Sequence, residues 1–299
     1  MEKEQEKSLR YVLTCVFLVG LTFPIVNNLP ILIKAVYPEF LKCEWLRWFD
    51  GYIFEFLQLA LLAAVFAVAY FLIGRKFKPA SPDKSGTLGD CLGILSIICF
   101  ISLVSDAVRS TVSVCDGLFE TCTGSNNIVV VGSASFPSFL ISVIIVPLVE
   151  EFACRQVVFK LVRPYGAGVA ILVSTICFAF AHGTTYQVFS ILIAGLSYGI
   201  IREKYGLWAS IALHAINNFV SFSALIGGAL LYILFLAMCI VTIVGTIYFV
   251  RNYMLQKKNI EMWLANIKSC TGIILTTPTL YVLLAACIAN IVLVRCIYG

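Results

Sequence analysis

The sequence has little charge. Only 12% of its 299 residues are Asp, Glu, Lys or Arg, whereas 61% are hydrophobic, and the mean hydropathy is +0.97. A soluble globular protein carries about twice that charged fraction, so the composition predicts an integral membrane protein. The net charge of +5 requires no nucleic-acid partner, because Lys and Arg residues in cytoplasmic loops account for it.

Cysteine motifs, internal repeats and low-complexity tracts are also missing. The 12 cysteines form neither a C-x-x-C pair nor a cluster with histidine, which excludes a zinc finger and a thioredoxin-like redox motif. Cys115 and Cys122 lie in a polar connection and could form a disulfide if that connection is extracytoplasmic. Met1–Lys7 carries charges of both signs and no small-residue cleavage site follows it, so no cleavable signal peptide is expected. We interpret 1–299 as a single membrane domain.

Long apolar segments dominate the chain instead. A helix needs roughly 17–25 apolar residues to cross a bilayer. The sequence therefore predicts an all-α, polytopic transmembrane helix bundle of eight to nine spans, with Pro24, Asn27 and Asn28 kinking or ending the first. The spans are expected at about 11–33, 52–73, 88–104, 137–160, 167–182, 186–201, 207–225, 229–250 and 273–294.

The positive charges between these segments predict the orientation. With the N-terminus in the cytoplasm, the connections inside hold 15 Lys and Arg residues and those outside hold five. Cytoplasmic loops carry the excess of positive charge in membrane proteins. The bias therefore predicts a cytoplasmic N-terminus, and an eight-span chain would move only the C-terminus to the other side.

One apolar segment, Val146–Phe159, contains Glu150, Glu151 and Arg155. Ionisable groups at membrane depth are costly and mark a functional site by default. Glu151 and Arg155 are four residues apart and share a helix face, whereas Glu150 points about 100° away. Glu151 is thus expected to be neutralised by Arg155, which leaves Glu150 to face a cavity.

The chain has only two histidines, His182 and His214, and both fall in predicted helices. At about 1.5 Å per residue, Glu150, His182 and His214 lie roughly 15, 22 and 12 Å from the cytoplasmic ends of their helices, so all three can meet in one layer. His214 shares a face with Asn218. A carboxylate, two imidazoles and a carboxamide in a small hydrated pocket suit hydrolysis, because they can activate water and stabilise an oxyanion.

These residues form three motifs in order, E-E-x-x-x-R at 150–155, F-x-x-x-H at 178–182 and H-x-x-x-N at 214–218. Together they resemble the motif set of the CAAX-protease and bacteriocin-processing (Abi) family of intramembrane proteases, which includes the type II CAAX prenyl endopeptidases. The glycine-spaced segment 194–218 also resembles that family. The resemblance covers about 135–220, which we take as the protease motif core.

The resemblance implies a role for each residue. Glu150 and His182 would hold and activate the attacking water, His214 and Asn218 would stabilise the oxyanion, and Glu151 with Arg155 would support the site. No H-E-x-x-H motif occurs in the sequence, yet Glu150, His182 and His214 could form a His₂Glu set of the kind that catalytic zinc uses. The sequence leaves Zn²⁺ and a metal-free mechanism open. The metal-free version is favoured, because Asn218 suits an oxyanion donor better than a zinc ligand.

The favoured hypothesis is an intramembrane endopeptidase that cuts a membrane-associated or lipidated peptide or protein, such as a prenylated C-terminus or a bacteriocin leader. The short spacing from His182 to His214 resembles the compact bacterial branch of the family and favours a bacterial plasma membrane. A non-proteolytic immunity or scaffold protein that retains the fold is the main alternative. A transporter with a carboxylate relay is less favoured, because internal repeats are missing.

Overall fold

The computed structural model describes residues 3–26, 44–77, 80, 86–87, 93–94, 96, 135–182, 188–226 and 228–298. All regular structure in these ranges is helical, so the predicted all-α class is confirmed. The candidate disulfide between Cys115 and Cys122, and most of the predicted span 88–104, lie outside the described residues.

The helices are numbered in chain order. They are α1 (Lys3–Gly20), α2 (Glu44–Lys76), α3 (Phe136–Tyr165), α4 (Ala167–His182), α5 (Val188–Tyr205), α6 (Leu207–Ile226), α7 (Gly228–Leu275) and α8 (Pro278–Tyr298).

Three helices are long and apolar enough to cross a membrane, namely Lys3–Val26, Glu55–Lys76 and Phe136–Tyr165. A fourth span results if the pair Ile260–Leu275 and Pro278–Ala289, which is bent by 77°, is counted as one. These apolar helices indicate an integral membrane protein. The count of eight to nine spans and the cytoplasmic N-terminus stay predictions.

Prolines interrupt two of the predicted spans. In the first, α1 ends at Gly20 and Leu21 forms a turn, because Pro24 has no N–H to donate to the carbonyl of Gly20. This agrees with the expected interruption of that span. In the last, Pro278 starts α8 after the bend, so 273–294 is not the single straight helix that we predicted. A proline restricts the residue before it to non-helical backbone, which explains the break at Thr277.

The other difference concerns 251–272, which the sequence analysis treats as a connection. In the structure α7 runs through this region without a break, from Gly228 to Leu275. Its charged residues do not oppose a helix, because the exposed pair Lys257 and Glu261 has the favourable spacing of four residues.

Helix α4 lies at the centre of the bundle. Twelve of its 16 residues are buried, as expected for a helix that is apolar on every face. Glycines allow its neighbours to approach closely. A Cβ atom added at Gly199 of α5 would lie 3.1 Å from Ile171 Cγ2, and one added at Gly168 of α4 would lie 2.3 Å from the backbone oxygen of Trp263 in α7. The glycine at 199 therefore lets α5 pack closely against α4.

The contact of α4 with α7 is testable at Gly168. Because a Cβ would collide with the backbone of Trp263, we expect Gly168→Ala to destabilise the protein by about 1–3 kcal/mol. Gly272→Ala is the matched control, since a Cβ there meets nothing within 4 Å and should stabilise the helix by about 0.5–1 kcal/mol. Thermal unfolding of both variants in detergent micelles measures the difference. Equal midpoints would contradict the close packing of α4 on α7.

Candidate active site

The helix that carries the two glutamates changes its geometry on both sides of them. In α3, Leu140–Ile145 and Phe152–Val158 are π-helical, and Val146–Glu151 between them is α-helical. π-helical turns inside α-helices are rare and occur frequently at functional sites. Glu150 and Glu151 thus sit at the end of a short α-helical segment between two irregular ones.

Glu151 and Arg155 form a fully buried ion pair. Both side chains are 0% exposed, and Arg155 Nε lies 3.5 Å from Glu151 Oε2. The guanidinium also donates from Nη2 to the carbonyl of Gly195 at 2.8 Å and lies 4.6 Å from the ring centre of Phe178. The pairing expected from the sequence is present, and it connects α3 to both α4 and α5.

Two side chains of α6 complete the surroundings of Glu151. The hydroxyl of Ser210 donates to Oε2, and His214 Nδ1 lies 3.1 Å from Oε1. A carboxylate paired with an arginine accepts hydrogen bonds, so Nδ1 of His214 carries its proton. In the neutral ring, Nε2 then presents a lone pair.

His182 is held in the same tautomer by a different acceptor. Its Nδ1 lies 2.9 Å from the carbonyl oxygen of Phe178, and a carbonyl only accepts. Nδ1 therefore donates, and Nε2 of the neutral ring carries the lone pair. His182 is 29% exposed, whereas His214 is 3% exposed, so the two imidazoles occupy the open and the closed side of the site.

Glu150 lies between these two imidazoles. Its Oε2 is 3.7 Å from Nε2 of His214 and 4.0 Å from Nε2 of His182, too far for direct hydrogen bonds. The same oxygen is buried and has no hydrogen-bond donor among the described residues. A water molecule is a fitting donor for such a group of acceptors, because a buried polar atom without a partner is costly. Thus Glu150, His182 and His214, which are distant in sequence, meet at one point.

Asn218 lies one turn after His214 on α6. Its Nδ2 donates to the backbone carbonyl of Ser142 at 2.9 Å, in the first π-helical segment of α3. A carboxamide has two N–H bonds, and this contact uses one of them. The structure thus fixes the orientation of the carboxamide and brings it against the helix that carries Glu150.

Sequence reasoning missed Tyr198 and Ser210 at this site, and it gave Phe178 no role beyond its place in the F-x-x-x-H motif. Tyr198 stacks on the ring of His214, with ring centres 4.7 Å apart and planes 18° apart. The ring of Phe178 contacts both imidazoles. Its centre lies 4.6 Å from that of His182 in a tilted arrangement and 5.5 Å from that of His214 in an edge-to-face arrangement. Ser210 is the other missed residue, and its spacing of four from His214 and eight from Asn218 was a usable signal.

The arrangement does not fit a zinc ion as it stands. Nitrogen and oxygen ligands lie about 2.0–2.2 Å from zinc, so two ligand atoms of a tetrahedral site are about 3.3–3.5 Å apart. Both distances from Glu150 Oε2 to the imidazole nitrogens exceed this range. Within the ranges that the structure describes, no group of three His, Cys, Asp or Glu residues is placed to hold a metal ion.

A comparison with protein families agrees with the motif analysis. Residues 132–220 match the family model described as "Type II CAAX prenyl endopeptidase Rce1-like". This segment is similar to that family. It contains all seven motif residues, and the predicted resemblance to the CAAX-protease family is confirmed. The match covers under a third of the chain. No curated protein and no solved structure matches the chain significantly.

The buried ion pair leads to a prediction about stability. Arg155→Met would leave the carboxylate of Glu151 buried without its guanidinium, and we expect a loss of about 3–5 kcal/mol of folding free energy. Lys257→Met is the matched control, because Lys257 and Glu261 have the same spacing of four but are 49% and 63% exposed. That variant should change stability by under about 1 kcal/mol. Thermal unfolding in micelles compares the two, and equal losses would contradict the role of Arg155.

Proposed function

We propose that this protein is an intramembrane endopeptidase of the CAAX-protease type. Its substrate is a membrane-associated or lipidated peptide or protein, either at a CAAX-type C-terminus or at a leader or bacteriocin segment. The observation that carries the proposal is the convergence of Glu150 Oε2 with the Nε2 atoms of His182 and His214 at 3.7–4.0 Å inside an Rce1-like domain.

The first step is the activation of water. A water molecule held by Glu150 Oε2 and His182 Nε2 donates a hydrogen bond to each of these acceptors. Glu150 takes one proton as general base while the water oxygen attacks the carbonyl carbon of the scissile peptide bond. The ring of Phe178 packs against His182, and Nδ1 of His182 is bonded to the carbonyl of Phe178. Both contacts hold the imidazole in one orientation, which favours this step.

The second step is the stabilisation of the oxyanion that forms on the carbonyl oxygen. The free N–H of the Asn218 carboxamide is one donor. His214 would be the other donor. Its Nδ1 proton is bonded to Glu151, so a second proton taken up from solvent before the attack would sit on Nε2 and be donated to the oxyanion, and the ring would keep that proton when the intermediate collapses. The positive charge of that ring would be compensated by Glu151 and supported by the stacked face of Tyr198. Preorganised donors of this kind are worth about 10²–10³ in rate each.

The third step is the collapse of the tetrahedral intermediate. The C–N bond breaks as the proton held by Glu150 passes to the leaving nitrogen, which gives an amine and a carboxylic acid. The acid loses its remaining proton to the amine or to water, and both products are released. Glu151, Arg155 and Ser210 touch no reacting atom in this scheme and act by holding His214. If activity depends on zinc instead, Glu150, His182 and His214 would be the candidate ligands, and they would have to lie closer together than they do here.

We further propose the topology that the charge bias predicts, with the N-terminus in the cytoplasm and eight to nine spans. Contacts between connections predicted to be cytoplasmic support it. Ser8 hydrogen-bonds to Tyr165, Ala80 N–H to the carbonyl of Lys160 at 3.4 Å, and Arg163 pairs with Glu203 at 2.7 Å. These segments therefore lie on one side of the bundle, as the predicted topology requires. The bacterial plasma membrane stays the predicted location.

Epitope tags at the two ends of the chain test the topology. We expect the N-terminal tag to be reached by antibody only after the membrane is permeabilised. The C-terminal tag should be accessible in intact spheroplasts if there are nine spans and protected if there are eight. An N-terminal tag accessible in intact spheroplasts would refute the proposed orientation.

Glu150→Gln tests the proteolytic function without a guessed substrate. The substitution keeps the shape of the side chain but removes the base, so cleavage should fall by about 10²–10⁴. The measurement compares new protein termini and membrane-associated peptides in cells that express wild type or variant at equal levels. Glu261→Gln, a change at a side chain that is 63% exposed, is the matched control and should leave the profile unchanged.

Termini that occur with wild type and Glu261→Gln but not with Glu150→Gln would identify the substrate. The cut is then repeated with purified protein and a metal chelator, and retained activity supports the metal-free steps above, whereas loss that Zn²⁺ restores supports the zinc alternative. Identical profiles for all three proteins, each folded, would contradict proteolysis and favour an immunity or scaffold protein.

A further inference from the structure

Pro147 lies in α3 at the transition from the first π-helical segment to the α-helical segment that carries the glutamates. In a π-helix the N–H of each residue donates to the carbonyl five residues earlier. Val146 follows this pattern, since its N–H donates to the carbonyl of Ile141. The next donor in the same register would be residue 147, and its acceptor would be Ser142. Proline has no N–H, so this bond cannot form.

The carbonyl of Ser142 therefore has no main-chain donor, for two reasons. The N–H of Val146, its alternative donor in α-helical register, is bonded to Ile141, and Pro147 offers none. A partly buried carbonyl requires a donor from elsewhere. Asn218 of α6 supplies it, with Nδ2 at 2.9 Å from the Ser142 oxygen.

We propose that Pro147 is a positioning residue for Asn218. Because Pro147 leaves the Ser142 carbonyl without a main-chain donor, that carbonyl is free to accept from the Asn218 carboxamide and to orient it. Because a carbonyl accepts only, it selects the orientation in which the NH₂ group of Asn218 faces α3. The second N–H of the same group is then held at the site for the oxyanion, so this part of the inference rests on the proposed function.

The alternative is that Pro147 only starts the α-helical segment, a position where proline is well tolerated. The two explanations differ in one respect. A helix-starting proline acts independently of Asn218, whereas a proline that frees the Ser142 carbonyl acts through Asn218. The coupling between the two positions is therefore the quantity to measure.

The experiment uses the full-length protein in micelles and the peptide identified by the Glu150→Gln comparison. Pro147→Ala restores an N–H that can donate to Ser142, and we expect kcat to fall by about 10²-fold with KM little changed, because a donor displaced by about 1 Å has that effect. Pro164→Ala is the matched control, an exposed proline at the far end of the same helix, and should retain wild-type kcat.

A double-mutant cycle then tests the coupling. Asn218→Ala alone should lower kcat by about 10²–10³-fold, and adding Pro147→Ala should lower it no further. The thermal midpoint gives a second readout that does not need activity. Asn218→Ala should lower the midpoint clearly in the wild-type background and much less in the Pro147→Ala background, because the restored N–H then satisfies the Ser142 carbonyl. Additive effects on both kcat and the midpoint would overturn the proposal.

Asn218→Asp tests the same contact if Pro147→Ala does not fold. Aspartate presents only acceptors to the Ser142 carbonyl, so its midpoint should lie below that of Asn218→Ala. Equal midpoints would contradict the orienting contact. If Glu150→Gln leaves cleavage unchanged, the proposed function fails on its own, and the midpoint cycle still decides whether Pro147 acts through Asn218.

Discussion

The buried pair of Glu151 and Arg155 is the interaction on which the site depends. Two charges with no exposure to solvent persist only when they are paired and hydrogen-bonded, and the partners of this pair come from three other helices. Arg155 contacts Gly195 of α5 and Phe178 of α4, and Glu151 contacts α6 through His214 and Ser210. Bringing these helices together is therefore a condition for burying the pair at all.

The same pair explains why adjacent glutamates behave differently. Glu151 receives every strong donor nearby, and Glu150 receives none among the described residues. In both imidazoles, the Nδ1 proton is donated to an acceptor other than Glu150. The result is a set of converging acceptors that lacks a donor, which is the condition for holding a water molecule with two donors of its own. The reactivity proposed for Glu150 thus depends on Glu151 having its own hydrogen-bond partners.

Much of the site could be predicted from the sequence, because helical spacing is local. The separation of four residues predicted the Glu151–Arg155 pair, and the scarcity of polar residues in apolar helices singled out His182 and His214. Helical spacing also places Ser210 on the face of His214, although it does not name Glu151 as its partner. The contact of Tyr198 could not be predicted, since it depends on how α5 packs against α6. The carbonyl of Ser142 carries no side-chain signal either, and its role follows from a backbone register that propensities do not report.

The helix boundaries likewise include some that could be predicted from the sequence and some that could not. Pro24 marked the interruption of the first span correctly, because the effect of proline on its own helix is local. The break at Pro278 was overlooked, as hydropathy alone cannot distinguish one apolar helix from two that meet at an angle. The continuation of α7 through 251–272 was missed because a charged, exposed helix and a polar loop have similar composition.

The unequal exposure of the two histidines gives the site a direction. Among the described residues, His182 is 29% exposed and His214 is 3% exposed, so the side of His182 is the more open side of the site. In the proposed mechanism, water would enter and the amine would leave on that side, while the charged pair of Glu151 and Arg155 is 0% exposed. The same scheme would have a substrate chain present its carbonyl from the side of His182, with the carbonyl oxygen directed toward His214.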